Sequence, residues 1–202
     1  MYLWRKMNAD EKGETLRHRR LAGYPLHSPP HLESDQPHFY HLTAACYSHA
    51  SLIGRSPGRV AAFESSLLEE LRAASQEVFA WCVLPNHWHA LVKTSDLKAT
   101  VFSVGRLHGR TSRKWNLEDE TPGRKCWCPC ADRRIRSEPH FWATVNYIHN
   151  NPVHHRHAKK WQEWPHSSAS RWLGSVGLEE ARRIWRDYPL HDYGNGWDDP
   201  EV

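Results

Sequence analysis

No stretch of the 202 residues approaches the roughly 18 consecutive apolar residues of a membrane span, so a transmembrane protein is not expected. Cysteine is scarce and odd in number, five in all, which argues against the even, spaced set of a secreted disulfide framework. Met1 to Asp10 carries charge where a secretion signal has an apolar stretch, and the expectation is a cytoplasmic protein. Internal repeats and low-complexity tracts are missing, which removes solenoids and fibrous chains. The length excludes two large domains and suits one domain with an added arm. Aromatics, by contrast, are plentiful. Eleven Trp, 7 Tyr and 5 Phe within a 39% hydrophobic fraction are enough to build a core and exclude a disordered chain.

Charge is distributed unevenly. Between Val104 and Arg136 nine basic residues face four acidic ones, a local +5, while the remaining 18 basic and 19 acidic residues leave −1. Trp115 and Trp127 interleave with this band. Two readings follow: a polyanion-binding face, where Lys and Arg displace counterions and rings stack on unpaired bases, or a solvated helix face above core tryptophans.

Three of the five cysteines, Cys126, Cys128 and Cys130, occupy alternate positions, which on an extended segment point one way. Structural zinc sites favour paired knuckles and need a fourth ligand, so the cysteines read first as apolar-like fillers of a strand, with a zinc role as the alternative.

Met1 to about Gln36 reads as a polar arm, helical and charged from Asn8 to Arg20, then interrupted by Pro25, Pro29, Pro30 and Pro37. His38 to Tyr47 alternates as a first strand, and Gly54 to Gly58 makes a loop. Across Arg59 to Gln76, Val60, Phe63, Leu67, Leu68 and Leu71 recur at helical spacing, which predicts a helix laid on a sheet. Val78 to Leu84 and His87 to Lys93 flank Pro85-Asn86 as an antiparallel hairpin. Leu97 to Asn116 is expected to be helical, Glu118 to Ala131 irregular or extended, and Glu138 to Asn150 a second strong helix stopped by Pro152. Gly177 to Trp185 suggests a short last helix before a Gly- and Asp-rich tail.

Alternation places His87 and His89 on one face of their strand and Trp88, Ala90 and Val92 on the other. The imidazole pair is either a polar patch on a sheet or two ligands for a divalent cation. Leu91 and Val92 occupy the positions where a binuclear metallohydrolase motif needs Asp and His, and Leu91 also excludes a nucleotide-hydrolase histidine triad. What remains is histidine, bulky residue, histidine, with positions on the cation open to an oxyanion such as phosphate. About sixty residues on, Tyr147 and Asn151 stand one helical turn apart. A phenol beside a polarised phosphate can attack phosphorus, and an amide oxygen can complete a metal shell. The plainer alternative is a packing aromatic followed by a helix cap.

Leu84 to Val92 (LPNHWHALV), Tyr147 to Val153 (YIHNNPV) and Trp164 to Ala169 (WPHSSA) together resemble the REP-associated tyrosine transposases, relatives of the single-tyrosine insertion-sequence transposases, over about Tyr40 to Trp172. The resemblance implies an α+β fold, a ferredoxin-like or RRM-like antiparallel sheet with helices on one face. An N-terminal polar arm (1–37) and a C-terminal helical extension and tail (174–202) would flank a catalytic domain (38–173). It implies a histidine-hydrophobe-histidine endonuclease with Tyr147 as nucleophile and His87, His89 and Asn151 as ligands of Mg2+ or Mn2+. The substrate would be single-stranded or hairpin DNA, cut and rejoined through a 5′-phosphotyrosine intermediate, as in DNA transposition and recombination. Arg106, Arg110, Arg113, Arg124, Arg133, Arg134 and Arg136 are expected along the DNA path. The chain is expected to be a monomer, with a dimer as the alternative.

Members commonly carry aromatic or aliphatic residues where this chain has Cys126, Cys128 and Cys130, which leaves the cysteines as fillers. The arm with Trp4-Arg5-Lys6-Met7 and the tail Tyr193 to Asp198 resemble a longer subgroup without an assignable task, and His154, His155 and His157 read as exposed histidines. A non-catalytic binder of structured nucleic acid on the same fold is the competing function.

Overall fold

The computed structural model describes residues 8–21, 36–191 and 193–194. It divides into two compact units, Met1–Leu32 and Glu33–Val202. The first contains helix α1, Ala9–Leu21, where the expected charged helix lies. Asn8 and Glu11 start it as a reciprocal cap: Glu11 N–H donates to Asn8 Oδ1 at 2.9 Å and Asn8 N–H to Glu11 Oε2 at 2.8 Å. The proline breaks at Pro25, Pro29 and Pro30, and the motifs Trp4 to Met7 and Asn195 to Asp198, lie outside the described residues.

The second unit is built on four strands: β1 His38–Ala45, β2 Glu77–Val83, β3 His87–Thr94 and β4 Ala131–Arg134. They lie in the order β2-β3-β1-β4 with every neighbouring pair antiparallel. Helix α2, Pro57–Ala74, joins β1 to β2, and α3, Leu97–Glu118, joins β3 to β4. This is the split βαβ plan of ferredoxin-like folds. Side-chain caps start each long helix. Ser56 Oγ accepts from Arg59 N–H, Asp96 Oδ1 from Ala99 N–H, and Ser137 Oγ from His140 N–H at the head of α4, Glu138–His154. Two further helices follow, α5 Ala169–Val176 and α6 Leu178–Asp187.

The pleat sorts the core into two layers. Leu42, Ala44, Trp88, Ala90 and Val92 meet Val60, Phe63, Leu67 and Leu71 of α2 and Val104, Leu107 and Trp115 of α3. Each fully buried leucine here contributes about 1.5–3 kcal/mol. On the opposite face Ala80, Cys82 and Leu91 meet Val145 and Ile148 of α4, with Trp172, Ala181 and Ile184 from the last two helices. Helices therefore cover both faces of the sheet, whereas the resemblance implied one. The reason is β3, a central strand buried on both sides, which needs a layer on each. Trp115 and Trp127 both lie in the first layer, 2% and 8% exposed, so they are core residues and not a stacking surface for bases.

The hairpin turn falls at Pro85-Asn86, where Leu84 N–H donates to His87 O at 2.8 Å. Gly54 fits against it: its N–H donates to Pro85 O at 2.8 Å, and a Cβ at that position would collide with the proline ring. Three elements depart from expectation. α4 runs through Pro152 to His154, because the missing proline donor falls in the last turn, where the carbonyls of Asn151 and Pro152 still accept from His155 and His157. β4 is a short charged strand without alternation, held by its register with β1. α5 begins on the last residue of the WPHSSA motif and spans residue 173.

Candidate active site

His87 and His89 project from β3 into the layer beneath α4 and are 2% and 1% exposed. Burying imidazole is costly unless its nitrogens are paired. His87 Nδ1 lies 2.7 Å from Asn86 Oδ1, and Nε2 lies 2.9 Å from Asn151 Oδ1. His89 Nδ1 lies 3.1 Å from Nε2 of His41 on β1, itself 3% exposed. Cross-strand register places His41 opposite Leu91 and one step diagonally from His89, so the three imidazoles share one face.

Helix α4 reads that face with a matching ruler. Two residues along a strand advance about 6.7 Å and four along a helix about 6 Å, so a pair spaced i, i+4 on α4 stands opposite a pair spaced i, i+2 on β3. Tyr147 accordingly lies against His89, ring centroids 5.2 Å apart, and against His41 at 5.8 Å, while Asn151 reaches His87. All four residues expected from the motifs converge.

The donor set suits a cation. Asn86 donates Nδ2 to His49 O at 3.2 Å, which turns its Oδ1 toward His87 Nδ1 and makes that nitrogen the donor. With Nδ1 donating, an uncharged His87 ring would accept at Nε2, 2.9 Å from the Asn151 side-chain amide, so the two can either pair through the amide N–H or turn a nitrogen and an oxygen toward a shared cation. The carbonyl of His49 comes from a tight turn in which Ser48 and His49 both have positive φ, 55° and 52°.

Tyr147 is 6% exposed. Its ring is covered by the chain after α6: Tyr193 packs on it at 5.7 Å, and a Cβ on Gly194 would fall onto the tyrosine ring. Tyr193 OH lies 2.5 Å from Thr144 Oγ1, one turn before Tyr147 on α4. Burial raises the Tyr193 phenol above its usual pKa, opposed by the Thr144 hydrogen bond and by Arg133. This part of the tail had no assignable role in the sequence. His155, read as an exposed histidine, instead lies 4.7 Å from the His87 ring.

The arginines separate into groups. Arg133 pairs in register with His41 and so faces the histidine side of the sheet, and Arg136 is exposed just before α4. Burial, and then Arg133 and Arg136, hold His140 below its ordinary pKa. Arg134 pairs with Tyr40 on the opposite face and its Nη2 lies 2.7 Å from His38 Nε2. Arg106, Arg110 and Arg113 are exposed on α3, the layer behind the sheet, where Arg110 also bonds Glu70. Arg124 donates to Asp119 at 2.7 Å and to Asn116 at 3.0 Å, a role inside the fold.

The WPHSSA segment seals a sheet edge. Val83 N–H donates to His166 O and Ser168 N–H to Trp81 O, extending the ladder beyond β2. Ser168 Oγ accepts from Trp81 N–H at 2.9 Å and lies 2.9 Å from Nε2 of the wholly buried His149. All five cysteines are free thiols, and burial pushes Cys46 and Cys130 up to about 12. Among the described residues no three His, Cys, Asp or Glu side chains converge as a metal set, and Cys126, Cys128 and Cys130 are among those searched. No helix among the described residues is long and apolar enough to cross a membrane.

No protein-family model matches the sequence, and no curated protein matches it. Among solved structures, a REP-associated tyrosine transposase bound to a REP hairpin is similar over 85% of this chain and 93% of its own, with 19% identity and a TM-score of 0.56. At that identity the likeness is one of fold: an α+β chain with a four-stranded antiparallel sheet and helices packed on it, in the arrangement of that transposase.

Proposed function

We propose that the chain is a metal-dependent single-strand DNA endonuclease and strand transferase, acting on hairpin DNA through a 5′-phosphotyrosine link at Tyr147. The observation that carries this reading is the placement of the Tyr147 ring 5.2 Å from His89 on the helix whose next turn brings Asn151 to His87. The similar solved structure holds a REP hairpin, which supports structured DNA as the partner.

In this reading His87, His89 and Asn151 hold Mg2+ or Mn2+, which when bound neutralises charge on a nonbridging phosphate oxygen. Tyr147 Oη forms a bond to phosphorus, the bond from phosphorus to the 3′-oxygen breaks, the phenol gives up its proton and the leaving 3′-oxygen takes one. One phosphodiester replaces another, so a different 3′-hydroxyl reverses the step and joins strands without an energy source. The Tyr193-Gly194 cover has to leave the ring before a phosphate arrives. Arg133 and Arg136, nearest this face, would bind the strand at the site, and Arg106, Arg110 and Arg113 could reach only DNA that passes behind the sheet. Because nucleophile and ligands come from one chain, a monomer suffices.

A labelled single-stranded hairpin incubated with Mn2+ should yield a covalent adduct that Tyr147→Phe abolishes, with hairpin affinity within about twofold of wild type. Cleavage at the wild-type rate in that variant would refute the nucleophile. The low exposure of Tyr147 favours a second reading, a binder without chemistry. Binding with no adduct in either metal condition would establish it.

A further inference from the structure

We propose that His41 is a positioning residue for the metal centre: its Nε2 accepts the Nδ1–H of His89 and holds that ring with the Nε2 lone pair toward the cation. The inference rests on the nuclease reading and deepens it.

The two nitrogens are 3.1 Å apart and both rings are buried, so one must donate and the other accept. If His41 donated, His89 would carry its proton on Nε2 and could not bind a cation there. The arrangement at His87 supplies the polarity. There Asn86, fixed by its own donation to His49 O, offers an oxygen to Nδ1 and leaves Nε2 for the cation. His41 is the corresponding acceptor for the second histidine. It stands on a central strand between the pairing partners Leu91 and Arg133, with the Tyr147 ring 5.8 Å away and the His89 ring 5.2 Å away. Such outer partners of metal-bound histidines fix tautomer and orientation, and their loss typically weakens metal binding about 10- to 100-fold.

The test uses the full chain. At a pH where the rings are neutral, long-range 1H–15N spectra without metal should show His89 as the Nδ1–H tautomer. His41→Gln, whose carbonyl oxygen can accept, should keep that tautomer and hold Mn2+ affinity, measured by electron paramagnetic resonance, within about threefold. His41→Leu should lose the tautomer and about tenfold or more in Mn2+ affinity. His89 found as Nε2–H in the wild type, or Mn2+ affinity unchanged in His41→Leu, overturns the proposal. Should His41→Leu not fold, the wild-type tautomer and His41→Gln still decide it. A wild-type chain that binds no Mn2+ overturns the nuclease reading, and the tautomer, which needs no metal, tests His41 separately.

Discussion

In the proposed metal site Asn151 would present a neutral amide where a charged ligand would bind a cation better. Its Nδ2 has no hydrogen-bond partner among the described residues, so an oxygen there would break nothing. Asn151→Asp should therefore tighten Mn2+ binding by about tenfold, because ligand charge is a main determinant of affinity for hard cations. Calorimetric titration checks it, and weaker binding would remove Asn151 from the ligand set. Gly194 is the complementary case. Any side chain at that position meets the Tyr147 ring, so Gly194→Val should dislodge the cover and expose the phenol. Nitration of Tyr147, followed by mass spectrometry, should then run several-fold faster than in the wild type. An unchanged rate would mean that the tail yields without uncovering the ring. At this scale the sequence was partly legible. Spacing put His87 with His89 on one strand face and Tyr147 with Asn151 on one helix turn, but only the resemblance joined the two pairs into a site. His41 carries no such spacing: its bond to His89 spans 48 residues and exists only through the register of β1 on β3. Asn86 was visible only as a turn residue, although its oxygen orients His87.

Among the elements, the edge of β2 shows how a motif can be legible without its purpose being so. WPHSSA contributed to the resemblance as a string of letters, but its work is to pair with Trp81 to Val83 and to bring Ser168 to His149 on α4. Removing the Ser168 hydroxyl leaves Trp81 N–H and His149 Nε2 to find new partners in a buried position. Ser168→Ala should cost about 2–4 kcal/mol in urea unfolding, and a loss under about 0.5 kcal/mol would show that the edge strand is held by its backbone alone. Helices α2 and α3 were legible because apolar residues recur with their period and each has a cap. β4 was not, since Ala-Asp-Arg-Arg has no strand pattern and charged residues suit an exposed edge. The overrun of α4 past Pro152 follows the same logic in reverse: a local rule gave way to tertiary contacts, with Asn151 bonded to His87 and the last carbonyls still satisfied.

For the whole molecule, two apolar layers on one sheet mean two independent places where a titratable ring is kept neutral. Burial holds His108, behind the sheet, down to about 3, where its Nε2 accepts from Trp88 Nε1 at 3.2 Å. Burial likewise holds His149, in the α4 layer, down to about 3. Both folded values lie below the unfolded value near 6.5, so the unfolded chain binds the extra protons. Stability is accordingly complete above about pH 6.5 and declines as pH falls, by about 1.4 kcal/mol per pH unit for each ring. A second window lies lower. The Arg59, Arg124 and Arg55 guanidiniums around Asp119 hold its carboxyl well below the usual range, so stability from that cluster is present above about pH 4 and is lost only beneath it. Between pH 6.5 and 5 the carboxylate is silent and the rings titrate. His108→Gln keeps an acceptor for Trp88 but removes one titrating group, so its stability relative to wild type should rise by about 2 kcal/mol across that interval. Taking the difference between two urea unfolding series cancels every histidine they share. Parallel stability curves for the two proteins would show that His108 is already protonated, or reaches water, in the folded chain, and the layer behind the sheet would not be the dry core its tryptophans imply.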